Sequence, residues 1–287
     1  MPELPEVEVL KRHLAPLLRG RTIHCVQVRR TRVIRPTAVR TLQRTLCGAT
    51  FIGLSRRGKF LVFTLRKRQS AKSIVLIGHL GMSGRMYLLP AEAALPKHTA
   101  VLLDLGEDRF VFEDTRYFGR FTLDAGVIEK LGPEPLSPEF TSDRFAEALG
   151  RSRQPIKIKL LDQRVVAGIG NIYASEALFQ AGISPSLAAA SLTAKQVKDL
   201  RAAIRQVLNR AVECGSTVPL DYDRHEQRDR LFYFGRAAEA LESYSERLYV
   251  YARAGEPCPR CATLIKRRVQ AARSTFYCPR CQGRRKM

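Results

Sequence analysis

Acidic residues are missing from the whole of residues 9–91, a stretch that carries eighteen Lys and Arg. Such a surface cannot neutralise itself, so it makes a basic bed for a polyanion. Long apolar runs are missing as well. None approaches the roughly 20 residues of a spanning helix, which argues against a membrane protein. Nor does a signal-type apolar core follow the acidic residue at position 3, which argues against secretion. What remains is a chain of 287 residues, 45% apolar, with a net charge of +22 and a pI near 10.3. It is long enough to bury a real core and to hold two domains. Nucleic acid is the first partner this charge suggests, and an anionic membrane surface the second.

Disulfides are not indicated, although there are seven cysteines. Cys25, Cys47 and Cys214 are scattered and read as small buried hydrophobes. The other four form Cys258-x2-Cys261 and Cys278-x2-Cys281, separated by sixteen residues. This is the spacing of one structural zinc ion on two knuckles, with four thiolates and no open position. The segment 258–287 holds nine Lys and Arg and no acid, and reads as a zinc-stapled β-hairpin too small to build its own core.

Elsewhere the chemistry is concentrated in short motifs. Pro2-Glu3-Leu4-Pro5-Glu6 starts a helix in the bland reading, with Pro in its first turn and Glu favouring the dipole. If Met1 is removed, the same residues present a secondary amine on Pro2 beside the Glu3 carboxylate, and that amine is partly neutral at neutral pH. Gly53-x4-Gly58-Lys59 imitates a phosphate loop, but Phe60 stands where a magnesium-binding hydroxyl is needed and a strand follows, so nucleotide hydrolysis is rejected. Gly168-x-Gly170 fails the dinucleotide fingerprint because Tyr173 replaces the third glycine. It reads instead as a turn opening a helix capped by Asn171, whose N-terminus suits a DNA phosphate. Met82, in the glycine-punctuated segment His79–Gly84, and Phe118, beside Arg116, are each core filler or a wedge for a base stack.

Apolar Val7, Leu10, Leu14 and Leu17 predict a helix over 5–19. Short β-type runs at Ile23–Val28, Phe60–Leu65, Ser73–Ile77, Val101–Leu105 and Phe110–Phe112 predict an antiparallel sandwich or barrel without helices between its strands. Gly132–Pro138, rich in Pro, reads as a linker. Beyond it Leu192, Val197, Leu200, Ile204, Val207, Leu208 and Ala211 mark a long helix. The expected divisions are 1–132, a catalytic β-sandwich; 133–252, a helical DNA-binding domain; and 253–287, the zinc finger.

Taken in order, these segments resemble the formamidopyrimidine-DNA glycosylase family, whose members excise oxidised purines. The likeness rests on Pro2–Glu8, Arg57–Phe60, His79–Gly84, Asp114–Gly119, Gly168–Phe179, Gly255–Cys258 and Arg273–Cys278, nearly the whole chain. It implies an α+β fold: an N-terminal β-sandwich with a leading helix, a helix–two-turn–helix domain, and a zinc-finger hairpin, with DNA in the cleft. It implies a monomer acting on double-stranded DNA with oxidised bases or abasic sites, in the cytoplasm of a bacterium at the nucleoid. By resemblance Pro2 is the nucleophile, Glu3 the general acid/base, and Lys59 and Arg273 serve elimination and phosphate contacts. Met82, Arg116 and Phe118 fill the gap left by the flipped base, while Glu6, His79, His98, Arg153, Lys157 and Asn171 contact DNA. Two departures stand out. Thr115 and Tyr117 replace a Pro and a cation of the family pattern. The segment 218–246 is longer than usual, and its Arg224, His225, Arg228, Arg230 and Phe232-Tyr233-Phe234 either cover the flipped base or simply pack. An endonuclease VIII-like enzyme for oxidised pyrimidines and a non-enzymatic DNA-binding homologue are the competing expectations.

Overall fold

The structure, a computed structural model, describes residues 2–214 and 248–283. These fall into two compact units: Pro2 with Glu6–Glu129, and Glu3–Pro5 with 130–214 and 248–283.

In the first unit, α1 (Leu4–Leu18) buries Val7, Leu10, Leu14 and Leu18 along one face, at helical spacing. Gly20, with φ +82°, turns the chain and donates its N–H to the Phe51 carbonyl. After it come β1 (Cys25–Val28), a 3-10 turn at Thr31–Ile34, α2 (Val39–Leu46), β2 (Ala49–Arg57), β3 (Phe60–Lys67) and β4 (Ser73–His79). The unit continues with β5 (Gly84–Pro90), β6 (Thr99–Asp104), β7 (Asp108–Asp114), β8 (Arg120–Thr122) and the short α3 (Gly126–Glu129). Two four-stranded antiparallel sheets result, in the orders β1-β6-β7-β5 and β2-β3-β4-β8. Their inner faces meet at Phe63, which lies edge-on to Phe110 of the opposite sheet at 5.8 Å and to Phe121 at 6.0 Å. Each such ring is fully buried and contributes roughly 1.5–3 kcal/mol relative to exposure.

The sandwich is the expected one, but α2 and the 3-10 turn correct the expectation that no helix interrupts it. Leu42 and Leu46 form a buried i, i+4 pair in a segment otherwise polar and Arg-rich, and eight residues are too few for the periodicity to stand out.

The second unit is built around helices. They are α4 (Ser142–Leu149), α5 (Ile156–Leu160), α6 (Asn171–Gln180) and α7 (Ala194–Glu213), with a 3-10 turn at Ala189–Ser191. Thr193 and Gln196 form a reciprocal capping box at the start of α7. Val197, Leu200, Ile204, Leu208 and Ala211 then line its buried face against α6 and α4. The proline-rich stretch 132–138 has no regular structure, yet it is tied down. Gly132 donates to the Gln163 carbonyl at 2.8 Å, and Arg205 donates to the carbonyls of Pro135 and Ser137, both at 2.9 Å. It is a strap across the helices rather than a free linker. The unit ends in the antiparallel hairpin β9 (Lys266–Gln270) and β10 (Arg273–Tyr277).

Candidate functional site

The first turn of α6 leaves backbone N–H groups without helical partners, and an anion is the natural occupant. That anion is the buried carboxylate of Glu3, which accepts from the N–H groups of Gly170, Ile172 and Tyr173 at 2.7, 2.9 and 3.3 Å. The sequence reading is corrected here. Asn171 is the first helical residue, the extended Gly170 is the cap, and the helix end expected to take a DNA phosphate is occupied by a side chain of the protein. The glycines serve this docking. A Cβ on Gly170 would run into the Glu3 carboxyl, and one on Gly168 (φ +88°) would stand 2.7 Å from the Leu4 Cβ. The Leu4 N–H also donates to the Gly168 carbonyl at 3.0 Å. Three hydrogen bonds thus fix Glu3, and Pro2, itself buried, precedes it directly in the chain.

On the same helix start, Asn171 meets one more of the expected site residues, Lys157. The Lys157 ammonium donates to Asn171 Oδ1 at 2.5 Å, to the Ser274 carbonyl at 3.0 Å and to Thr275 Oγ1 at 2.9 Å. Asn171 Nδ2 donates to the same Ser274 carbonyl at 2.9 Å. Lysine has three N–H donors, and all three are spent inside the protein. Burial, then the nearby Arg273, lowers the Lys157 pKa to about 8 against the opposing pull of Glu3. Arg273 is exposed at the first position of β10, next to this knot. The hairpin turn before it, Ala271-Ala272, has φ of +46° and +58°, a conformation normally given to Asn-Gly. Arg153 is exposed in the loop leading to α5.

The four expected zinc ligands come together on two knuckles. Sulfur pairs lie 3.8 Å (Cys258–Cys281), 3.5 Å (Cys261–Cys278) and 3.4 Å (Cys261–Cys281) apart, and all four Sγ atoms fall within 4.8 Å of one another. A tetrahedral zinc with Zn–S near 2.3 Å demands sulfur separations of about 3.8 Å, so the residues fit one zinc ion. Amide N–H groups of Arg260 and Cys281 point at Cys258 Sγ and Cys278 Sγ, each at 3.4 Å. Burial pushes the Cys278 and Cys281 thiols up, so a cation is needed to hold them as thiolates. Arg260 packs its guanidinium 4.4 Å from the Phe179 ring centre and donates to the Phe179 and Gln180 carbonyls, docking the knuckle on the negative end of α6.

The first unit holds the remaining site residues at the ends of its strands. Lys59 is buried at the second position of the two-residue turn between β2 and β3, after Gly58 with φ +57°. Arg56 braces this turn, donating to the Gly58 carbonyl and to Glu8 of α1, both at 3.0 Å. At the end of β4, His79 lies against Phe60 with ring centres 4.6 Å apart and the planes tilted by 39°. Burial, with help from Lys59 and Arg120, lowers the His79 pKa to about 4. Its Nδ1 accepts the Gly81 N–H at 3.1 Å, so the neutral ring carries its proton on Nε2, the nitrogen left to donate.

Met82 and Phe118 are exposed, at 45% and 41%, so neither is core filler. Sequence reasoning missed what holds them. The buried Asp114 carboxylate accepts from Ser83 Oγ at 2.6 Å, Arg116 N at 3.1 Å and Gly119 N at 2.8 Å, binding the Met82 loop and the Phe118 loop to one group. A Cβ on Gly81 (φ +63°) would come within 2.6 Å of the Gly119 nitrogen, so the two backbones touch only because that residue is glycine. His98, half-buried before β6, lies 3.4 Å from the Tyr117 hydroxyl. Glu6 is wholly buried in α1. A second missed residue, Glu176, is buried on α6 and accepts the N–H groups of Tyr249, Val250 and Tyr251 at 2.7–2.9 Å. A lone acid on an otherwise apolar helix face was the available signal. Arg224, His225, Arg228, Arg230 and residues 232–234 lie outside the described residues.

Known proteins share this arrangement. Residues 1–121 match the formamidopyrimidine-DNA glycosylase N-terminal domain, residues 131–220 the formamidopyrimidine-DNA glycosylase H2TH domain, and residues 255–283 a zinc finger found in FPG and IleRS. The formamidopyrimidine-DNA glycosylase of Carboxydothermus hydrogenoformans is 40% identical over 282 residues, covering 98% of this chain and 100% of its own. That of Thermus thermophilus is 40% identical with 99% of each chain covered. A solved complex between a Lactococcus lactis FPG mutant and a Fapy-dG containing DNA superposes with a TM-score of 0.84 at 31% identity, covering 99% of this chain and 100% of that one. The complex of wild-type Lactococcus lactis FPG with an oxidized pyrimidine containing DNA gives 0.85 at 32%, with the same coverage. With all three of its regions matched and relatives aligned along its whole length, this chain belongs to the formamidopyrimidine-DNA glycosylase family.

Proposed function

We propose that this protein excises oxidised purines, 8-oxoguanine and formamidopyrimidines, from double-stranded DNA and nicks the resulting abasic site, with the Pro2 amine as nucleophile. The observation that carries the reading is the fixing of Glu3. A carboxylate held by three backbone N–H groups beside the terminal amine is built for proton transfer at a defined place rather than for solubility.

The lesion must leave the stack for its C1′ to be reached. Met82, Arg116 and Phe118 fill the space and face the orphaned base. The Pro2 nitrogen, freed by removal of Met1, donates its lone pair to C1′, and the base departs with the glycosidic bonding pair and takes up a proton. Ring opening, assisted by Glu3, gives an iminium. Loss of a C2′ proton then expels the 3′-phosphate by β-elimination, and δ-elimination expels the 5′-phosphate. Lys59 and Arg273 assist elimination and bind phosphate. His79 donates through Nε2, while His98, Arg153 and Asn171 hold the backbone and Glu6 belongs to the nucleotide-facing set. Lys157 serves DNA by positioning Asn171 and the Arg273 strand, since its own donors are engaged. Zinc, held by Cys258, Cys261, Cys278 and Cys281, is structural and shapes the hairpin. The functional division into 1–132, 133–252 and 253–287, the monomeric state, and work in the bacterial cytoplasm at the nucleoid belong to the same proposal. No helix of the described residues is long and apolar enough to cross a membrane.

Borohydride trapping on a duplex with one 8-oxoguanine opposite cytosine tests this, with the adduct mapped by peptide mass spectrometry. A covalent adduct on Pro2 is expected. An adduct at any other residue removes the mechanism. An oxidised-pyrimidine duplex runs in parallel, because a similar FPG was solved with such DNA; faster trapping there shifts the substrate assignment to pyrimidines.

A further inference from the structure

Arg30 and Arg32 flank the start of the 3-10 turn Thr31–Ile34, and both are exposed. Neither guanidinium meets a carboxylate within ion-pair distance among the described residues. Each is instead aimed at an aromatic ring of the 114–119 loop. Arg30 lies 5.2 Å from the centre of Tyr117, and Arg32 lies 5.4 Å from the centre of Phe118, the ring that Arg116 approaches to 4.8 Å. The Tyr117 hydroxyl lies beside His98 Nδ1, with the two rings 6.4 Å apart. Tyr117 itself has φ +53°, an unusual conformation for a bulky residue, and it turns the ring back toward Arg30.

An exposed arginine ordinarily samples many rotamers, and an ion pair is the common way to fix one. Stacking on a ring fixes the planar guanidinium without neutralising it, at about 0.5–1 kcal/mol per contact on a surface. The outcome is a set of cations, Arg30, Arg32 and Arg116, that is ordered and fully charged around the exposed Phe118 tip. Ordered, unneutralised guanidinium groups fit phosphodiester oxygens.

We propose that Arg30 and Arg32 are two further DNA-backbone contacts, with the rings of Tyr117 and Phe118 as their positioning platforms. This rests on the reading of the protein as a DNA glycosylase. Tyr117, which stands where the family pattern has a cation, then acts by holding Arg30 rather than by charge of its own.

The test is the salt dependence of binding to a duplex carrying a non-hydrolysable abasic-site analogue, for the wild type and Arg30→Gln/Arg32→Gln. Each phosphate contact contributes about 0.9 to the slope of log affinity against log salt, so the double variant should be shallower by roughly 1.8. An unchanged slope against a steep wild type overturns the proposal and leaves the glycosylase reading intact. A wild type that does not bind the duplex overturns both. Platform action is read from a double-mutant cycle. Tyr117→Phe, which keeps the ring, should stay within about twofold of wild-type affinity. In a Tyr117→Leu background, Arg30→Gln should lose most of its effect. Full retention of the Arg30→Gln effect in that background refutes the platform.

Discussion

The loop tips of the first unit and the hairpin tip of the second are held in place by opposite means. Met82, Arg116 and Phe118 project from the end of a sandwich whose aromatic core is already rigid, so a single buried carboxylate, Asp114, suffices to bolt their two loops together. Arg273 projects from a two-stranded hairpin in which β9 faces solvent along nearly its whole length. A large core is lacking there, where only Phe276 of β10 packs with Val250, Ile265 and Phe179. Its place is taken by four sulfurs, by the Lys157 ammonium that grips Ser274 and Thr275, and by Arg260 on the end of α6. Where burial is plentiful, positioning takes one polar group; where it is scarce, it takes a metal, a buried lysine and an exposed arginine.

The largest effect expected from this contrast is metal removal. Structural zinc sites supply roughly 10–16 kcal/mol of apparent binding energy to folding. Chelation should therefore unfold the hairpin and abolish tight DNA binding while leaving the sandwich intact. Amide hydrogen exchange checks this: protection should vanish over β9 and β10 and persist over β3 and β7. Equal loss in the sandwich strands contradicts the division of labour.

A smaller effect is expected from Asp114→Ala in the first unit. It leaves the Gly119 amide without its acceptor and the Arg116 amide with Ser83 Oγ, at a cost of roughly 1–3 kcal/mol. Denaturant unfolding measures the loss, and because both loops loosen, lesion excision should fall more than affinity for undamaged duplex. A stability change under about 0.5 kcal/mol means the glycine contact alone holds the loops.

The smallest effect should be a gain. Ala271 and Ala272 occupy left-handed conformations that disfavour a Cβ, by about 1–2 kcal/mol each in regular structure. Ala271→Asn with Ala272→Gly should relieve part of that strain and raise the chelator concentration needed to strip the zinc. A lower threshold shows that the turn is not strained in solution.

Much of this was legible locally. The four-cysteine spacing, the apolar stripes of α1 and α7 and the strand runs of the sandwich all lie within windows of a few to some twenty residues, where periodicity and ligand spacing speak directly. The eight-residue α2 was not legible, because two buried leucines among arginines give too short a period. Nor were the supports of the site. Glu3 finds its N–H donors 167–170 residues away, Lys157 reaches 117–118 residues, and Asp114 reaches back 31 residues to Ser83. Residue identity marked Glu3 as chemical and the family resemblance marked Lys157, but only the fold shows that Lys157 donates entirely to protein and that Glu3 takes the helix end expected for phosphate.

The seat of Glu3 also sets an order of events during synthesis. The amino terminus leaves the ribosome first, yet the amides that clasp this carboxylate belong to residues 170–173 and follow more than half a chain later. Until then the terminal segment has nothing to lock onto. An incomplete chain therefore carries Glu3 long before the amides that hold it, and this carboxylate reaches its seat only when the helical unit has folded.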